Sequence, residues 1–349
     1  MNTRWRSQFG VETIPRPIAE PATARTADRP AQVRDAEAVH LLPNGATILL
    51  LLAVAGCAGS PTASVPPGRN TAPTSAAPTA VLTTAPAPSL RSSCGRERVA
   101  GTVVLALPGG RRALFAVPAG DDGHHRLPLV IGLPGYGRTS EDLAAQSRIP
   151  ARAMAAGVLA VLPQGAGPAK SWNLSGTTSN DDVALLSALV TQLAATECAD
   201  PDRVVITGIS DGGDMAVFAA CALPGRFRAV VTVAASIEPR VGCHRIRIVA
   251  VHGDADPVDP YSGKPGPPGY AATPPAATAI AAWAALDGCR TAATTRIAPH
   301  IMTSTYPCGA QLITVSGGGH TWPGGAPVNP SLGVTTSEYD ATAIILSLF

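Results

Sequence analysis

Residues 204–213 read Val-Val-Ile-Thr-Gly-Ile-Ser-Asp-Gly-Gly, an apolar, β-branched run that ends in G-x-S-x-G with Ser210 at its centre. A serine at that spacing suits a nucleophile carried on a sharp strand-to-helix turn, where flanking glycines let two backbone segments close on one another. A serine hydroxyl attacks poorly until a histidine takes its proton and an acid orients that histidine. When such chemistry is built on an open α/β sheet, acid and histidine follow the serine in the chain. Residues 249–258, Val-Ala-Val-His-Gly-Asp-Ala-Asp-Pro-Val, read as a strand ending in a Gly-Asp turn. That puts a carboxylate at the C-terminal edge of the sheet, where α/β sites form. Asp256 is the candidate acid, with Asp254 and Asp259 as alternatives, Asp254 being also suited to capping the turn. Residues 316–325, Ser-Gly-Gly-Gly-His-Thr-Trp-Pro-Gly-Gly, would deliver His320 on a loop after the last strand. His124 and His125 precede the serine, His244 and His300 lack glycine-rich delivery, and His252 ends a buried strand. The backbone N–H groups of Asp211 and of Tyr136, in the loop Leu133-Pro134-Gly135-Tyr136-Gly137, are candidates to receive a developing oxyanion.

These residues need elements to hold them. From about residue 99 the chain alternates apolar runs with amphipathic stretches, the βαβ pattern of a mostly parallel sheet covered by helices. The pattern predicts an antiparallel pair over 99–107 and 112–117, then strands over 127–133, 157–162, 203–207, 228–234, 246–252 and 311–315. Helices are predicted over 144–156, 178–196, 213–223, 276–286 and 337–348. The serine thus follows a central strand and opens a helix, which is the setting that its motif requires.

The first quarter reads differently. Residues 46–56 are a short apolar run, too short for a membrane span of about 20 residues and of the length of a signal-peptide core. With Cys57 behind Val54-Ala55-Gly56, the run resembles a bacterial lipobox whose cysteine carries a lipid; an ordinary cleaved signal peptide is the alternative. Residues 1–45 are too long and too acidic for a signal-peptide start, so a mis-assigned translation start or a disordered extension is expected there. Residues 58–92, nearly all Ala, Pro, Thr, Ser and Gly, cannot bury enough apolar surface to fold and read as a tether. The catalytic domain is then 93–349, exported and held at the outer face of the membrane or released.

Of 349 residues, 46% are hydrophobic and 14% charged, with a net charge of +2 and no basic cluster interleaved with aromatics, which argues against nucleic acid as a partner. Besides Cys57 there are six cysteines, an even set that suits disulfides in an exported chain. Spacing and fold favour Cys289 with Cys308, Cys221 with Cys243, and Cys94 with Cys198. No cysteine or histidine cluster has metal-ligand spacing, so no metal is expected.

Taken together, Leu133-Pro134-Gly135-Tyr136-Gly137, Pro163-Gln164-Gly165, Ser171-Trp172-Asn173, Asp202-Arg203-Val204 leading to Gly208-Ile209-Ser210-Asp211-Gly212-Gly213, His252-Gly253 with Asp256, and residues 317–325 resemble polyhydroxybutyrate-depolymerase-like esterases. The chain is also similar to feruloyl and acetylxylan esterases of carbohydrate esterase family 1, and looks like an actinobacterial lipoprotein branch of this group. The resemblance implies a single α/β-hydrolase domain without cofactor, a Ser210-Asp256-His320 triad, and an ester substrate, either a hydroxyalkanoate or an acyl group on a polysaccharide. It also implies that Trp172 and Trp322 border the site, with core packing as the other reading. Members of the group usually carry His where this chain has Pro134; proline fixes φ and removes an N–H, so the oxyanion loop could sit differently. A monomer is expected. Acyl transfer to an alcohol, and a non-catalytic surface protein on the same fold, are the rival functions.

Overall fold

Eleven strands form one sheet, in the order β1-β2-β3-β5-β4-β6-β7-β8-β11-β10-β9. The computed structural model describes the backbone of residues 11–12 and residues 100–120, 124–174, 181–240, 242–266 and 272–349. The rest of the N-terminal extension, the apolar run, Cys57, the tether and Cys94 lie outside the described residues.

The strands are β1 (Val11–Glu12), β2 (Gly101–Leu107), β3 (Arg111–Val117), β4 (Leu127–Leu133), β5 (Leu159–Pro163), β6 (Ala199–Ile209), β7 (Ala229–Val233), β8 (Arg247–Gly253), β9 (Ala293–Ala298), β10 (Ile301–Thr305) and β11 (Gln311–Val315). The helices are α1 (Ser140–Ser147), α2 (Ile149–Ala155), α3 (Asp181–Thr196), α4 (Asp211–Ala222), α5 (Ala276–Leu286) and α6 (Ala341–Leu346). β4, β5, β6, β7, β8 and β11 run parallel, each laid against its neighbour in the sheet. Antiparallel pairs edge them on both sides.

Apolar side chains explain why the central strands are buried on both faces. Along β4 and β6, Leu129, Ile131, Leu133, Val204 and Ile206 enter one cluster with α3, α4 and α5. Val130 and Val205 enter the other with α1, α2 and α6. This is the period of two expected of a strand covered on each side, and each fully buried side chain of this size stabilises the fold by about 1.5–3 kcal/mol.

The register sets the site. Leu133 lies opposite Gly208, Ile209 opposite Val233, Val233 opposite Val251, and Val315 opposite Gly253. The ends of β4, β6, β8 and β11 therefore meet at one edge, and the segments after them become neighbours there.

Some elements differ from the sequence pattern, β6 among them, which begins at Ala199 instead of 203. The single helix expected over 144–156 is two, because Arg148 adopts φ 57° and Pro150 opens the second one, where a proline interior to a helix would remove a hydrogen bond. Thr139 and Asp142 cap the first helix reciprocally, at 3.0 and 2.8 Å. The last helix starts at Ala341 instead of 337, because the Asp340 carboxylate accepts the Ala343 N–H at 2.9 Å and fixes its N-terminus. The β9–β10 hairpin was missed altogether.

Candidate active site

Ser210 stands between the end of β6 and the first residue of α4, with φ 56° and ψ −131°. For a residue with a Cβ this is a strained conformation, worth about 1–3 kcal/mol, that persists only where its surroundings enforce it. Here the Ser210 N–H donates to the Val233 carbonyl at 3.0 Å, and the Ser210 carbonyl accepts from Gly213 and Asp214 at 2.7 and 3.0 Å. The close approach predicted for the flanking glycines is real: a Cβ on Gly212 would lie 2.2 Å from the Leu133 carbonyl oxygen and 2.5 Å from that of Pro134. The turn and the loop after β4 are in backbone contact through that missing side chain.

Asp256 sits in the turn after β8. Its Oδ1 accepts the N–H groups of Val258 and Asp259, both at 2.8 Å, and its Oδ2 lies 2.8 Å from His320 Nδ1. Burial alone would raise this carboxyl. Hydrogen bonds from His252 and His320, the charge of His320 and the Asp259 amide outweigh burial and hold it well below the usual carboxylate range. An ionised Oδ2 can only accept, so Nδ1 of His320 carries a proton, and in the neutral form of the ring that leaves the lone pair on Nε2.

The two other aspartates have different partners. Asp254 accepts the Gly317 N–H at 2.6 Å and the Ser316 hydroxyl at 3.1 Å, which ties down the start of the glycine-rich loop. The Asp259 side chain pairs with Lys264 at 3.3 Å. The loop closes onto the acid turn because Gly253 has no side chain: a Cβ there would lie 2.1 Å from the Gly318 carbonyl. His320 is fixed from below by its own N–H on the Leu332 carbonyl at 2.6 Å.

His252 is buried beneath this pair. Its Nε2 lies 2.8 Å from the Asp259 carbonyl, which can only accept, so Nε2 bears the hydrogen and Nδ1 accepts from the Ser236 hydroxyl at 3.0 Å. The same Nε2 is 3.5 Å from Asp256 Oδ2. His252 therefore holds the acid turn from within the sheet. The sequence showed it only as the end of a strand.

The loop after β4 lies over the serine. A Cβ on Gly135 would be 3.3 Å from the Ser210 Cβ, so this loop packs directly on the nucleophile. The Pro134 carbonyl in this loop accepts the Trp172 indole N–H at 2.8 Å. Trp172 also donates its backbone N–H to the Asp211 carboxylate at 3.1 Å. Burial raises the Asp211 carboxyl, the Trp172 amide opposes that, and the charge of Asp182 adds to it. Asp214, one turn along α4, is pushed up to about 8 by burial and by the charges of Asp259 and Asp211, with Arg240 and Lys264 opposing. Neither the Tyr136 N–H nor that of Asp211, the first residue of α4, has an acceptor among the described residues.

Trp172 thus links the two segments that bear these amides. Trp172→Phe keeps the ring and removes one donor, which at about 1.4 kcal/mol for a net hydrogen bond corresponds to a loss of about tenfold in kcat with KM little changed. Steady-state kinetics would check this, and an unchanged kcat in a folded variant would exclude the link.

Ser210 and His320 border one cavity of about 410 Å3, with Gly135, Tyr136, Arg138, Val258 and Leu332 among its other walls. No hydrogen bond joins the two side chains among the described residues; such contacts often tighten only when substrate binds. Tyr136 is 66% exposed, at the rim. Trp172 and Trp322 do not reach the cavity wall. Both are buried, and the Trp322 indole N–H donates to Thr342 Oγ1 at 3.0 Å under α6. The substrate-contact reading of these two tryptophans gives way to the packing one.

What the sequence reading missed is the wall formed by Val258 and by Ala326, Pro327, Val328 and Leu332; a proline-rich stretch just after His320 was the available signal. His300 pairs with Glu338 at the surface, at 2.6 Å. Cys221 is bonded to Cys243 and Cys289 to Cys308. Cys198 is also disulfide-bonded, and its expected partner, Cys94, lies outside the described residues. Among the described residues no group of three or more His, Cys, Asp or Glu could hold a metal ion.

A central parallel sheet with a strained serine at the end of β6, and an acid and a histidine beyond β8 and β11, defines an α/β hydrolase. A family model described as the prolyl oligopeptidase family matches residues 153–241, the stretch around the serine. Over 335 residues the chain is 30% identical to a protein of Nocardia uniformis subsp. tsuyamanensis named "Putative esterase NocK", covering 86% of this chain and 95% of that one. Over 193 residues it is 30% identical to a "Probable feruloyl esterase C" of Aspergillus terreus, covering 52% of this chain and 67% of that one. An acetyl xylan esterase structure from Aspergillus awamori superposes with a TM-score of 0.48 at 16% identity, over 64% of this chain and 92% of that one. The chain belongs to the α/β-hydrolase esterases that include the Nocardia protein, and it is a carboxylic ester hydrolase.

Proposed function

We propose that this esterase works through a Ser210-His320-Asp256 triad and an acyl-enzyme at Ser210. The observation that carries the reading is the 2.8 Å contact between His320 Nδ1 and an ionised Asp256, on the wall of the cavity that Ser210 also borders. Nε2 of His320 takes the proton from Ser210 Oγ as that oxygen attacks the ester carbonyl, and Asp256 stabilises the imidazolium that results. The Tyr136 and Asp211 amides receive the oxyanion, each such donor being worth roughly 10²–10³ in turnover. His320 then protonates the leaving alcohol. Water, activated by the same Nε2, frees the acid and restores the serine.

The substrates we assign are feruloyl esters, in line with the names of the Aspergillus relatives, or esters of aliphatic hydroxy acids or acetyl groups, which the resemblance of the motifs implies. The run at 46–56 with Cys57 supports export and lipid anchoring of the enzyme at the outer membrane face. The test is a fluorophosphonate probe on the folded protein. Covalent label on the peptide holding Ser210 is the expected result; label elsewhere, or none, overturns the triad.

A further inference from the structure

We infer that Arg138 makes the active-site cavity selective for aliphatic esters that carry a free carboxylate at the far end of the acyl chain. The inference rests on the reading of Ser210 as nucleophile and, among the substrates assigned to it, favours aliphatic acyl esters that end in a carboxylate over feruloyl and acetyl groups.

Besides His320, two ionisable side chains of opposite charge, Arg138 and Asp142, border the cavity with Ser210. Asp142 is engaged, since its Oδ2 accepts the Thr139 N–H at the start of α1. Arg138 is exposed, and among the described residues no carboxylate, carbonyl or hydroxyl pairs with its guanidinium. By contrast Arg111, Arg112 and Arg152 each sit on a carboxylate.

The placement of Arg138 is fixed even though its side chain is unpaired. Its N–H donates to the Gly135 carbonyl at 3.1 Å, and the Gly137 N–H donates to the Ala169 carbonyl at 3.1 Å, closing a turn. Such a turn keeps its first and last Cα atoms within about 7 Å. Gly135 is the residue that packs on Ser210, so the guanidinium lies within its own side-chain length of the residues that abut the nucleophile.

Most of the remaining walls are apolar. Among them Ile209, Val258, Val328 and Leu332 suit a short methylene chain, whereas a guanidinium fork matches a carboxylate through two parallel N–H donors. The chemistry called for is therefore an aliphatic ester with an acid at its far end. A neutral ester of the same length fills the same walls but leaves Arg138 with water.

The experiment compares p-nitrophenyl hexanoate with mono-p-nitrophenyl adipate, matched in chain length, each corrected for hydrolysis without enzyme. The readout is the ratio of kcat/KM, adipate over hexanoate. In Arg138→Gln the ratio is expected to fall about tenfold from wild type, one charge-assisted hydrogen-bonded pair. In Arg138→Lys it should fall less, since the charge remains without the fork. Added salt should lower the ratio in wild type and not in Arg138→Gln. A ratio unchanged by Arg138→Gln, or a wild-type ratio insensitive to salt, overturns the inference. Failure of the serine reading would show separately, as a folded enzyme that hydrolyses hexanoate but is not labelled at Ser210 by fluorophosphonate.

Discussion

Asp256→Asn should lower kcat about 10⁴-fold while leaving the fold in place, as expected when a catalytic histidine is forced into the wrong tautomer. The direction follows from which oxygen is already committed. Oδ1 accepts two backbone N–H groups, from Val258 and Asp259, each at 2.8 Å. In the variant only the amide oxygen can take that place, so the NH2 group must face His320. Nδ1 then has to accept, its proton moves to Nε2, and the ring can no longer take a proton from Ser210. The same NH2 group would meet the Nε2–H of His252, 3.5 Å from Oδ2 in the native protein.

Stability should change with a definite sign. Asp256 has a folded pKa held below its ordinary value near 3.8, so its ionised form contributes stability that is present above that value and is lost as pH falls below it. The gap in Tm between native protein and Asp256→Asn attributable to this charge should therefore be constant from neutral pH down to about pH 4 and narrow only below it. Stopped-flow or burst kinetics with thermal melts over that range would check both parts. A variant within tenfold of wild-type kcat would exclude Asp256 as the orienting acid and return attention to Asp254 and Asp259.

The sequence was legible where local pattern and tertiary need coincide. The apolar run 127–133 matches its strand residue for residue, because a strand buried on both faces is nearly all apolar, and 311–315 matches its strand too, with Gln311 and Thr314 only partly buried. That Ser210, Asp256 and His320 would lie beyond strand ends at one edge of the sheet was legible, because strand order in such a sheet constrains where a turn can carry chemistry. The β9–β10 hairpin was not, since β9 lies at the sheet edge with most of its residues exposed and has no apolar alternation to read. Nor was the part played by Trp172, whose two partners lie at Pro134 and Asp211, both distant in sequence. Its burial was one of two open readings, and only the packed structure separates them. The pairing of His252 with Ser236 and Asp259 likewise depends on β7 and β8 being neighbours, which no single segment records.

Gly212→Ala should be among the most damaging methyl additions to the described residues. A Cβ there falls 2.2 Å from the Leu133 carbonyl oxygen and 2.5 Å from that of Pro134. Neither atom can yield easily. Leu133 ends a strand paired on both sides of the sheet centre, and the Pro134 carbonyl is held by Trp172. Either α4 retreats, carrying the Asp211 amide away, or the loop lifts, carrying the Tyr136 amide away. Both routes open the place where an oxyanion would sit, and one lost donor already costs about 10²–10³ in turnover. A clash with rigid backbone also belongs among the substitutions that destabilise by about 4 kcal/mol or more. Gly213→Ala is the internal comparison: its Cβ would meet the Ala235 methyl at 2.8 Å and the Gly208 carbonyl oxygen at 3.1 Å, with no atom of the loop after β4 among its nearest neighbours. Gly213→Ala should therefore lose stability while keeping most of its turnover per folded molecule, and Gly212→Ala should lose both. Active-site titration of the soluble fraction gives turnover per folded molecule, and a Gly212→Ala enzyme with native Tm and native kcat would mean that the serine turn and the oxyanion loop are not in backbone contact.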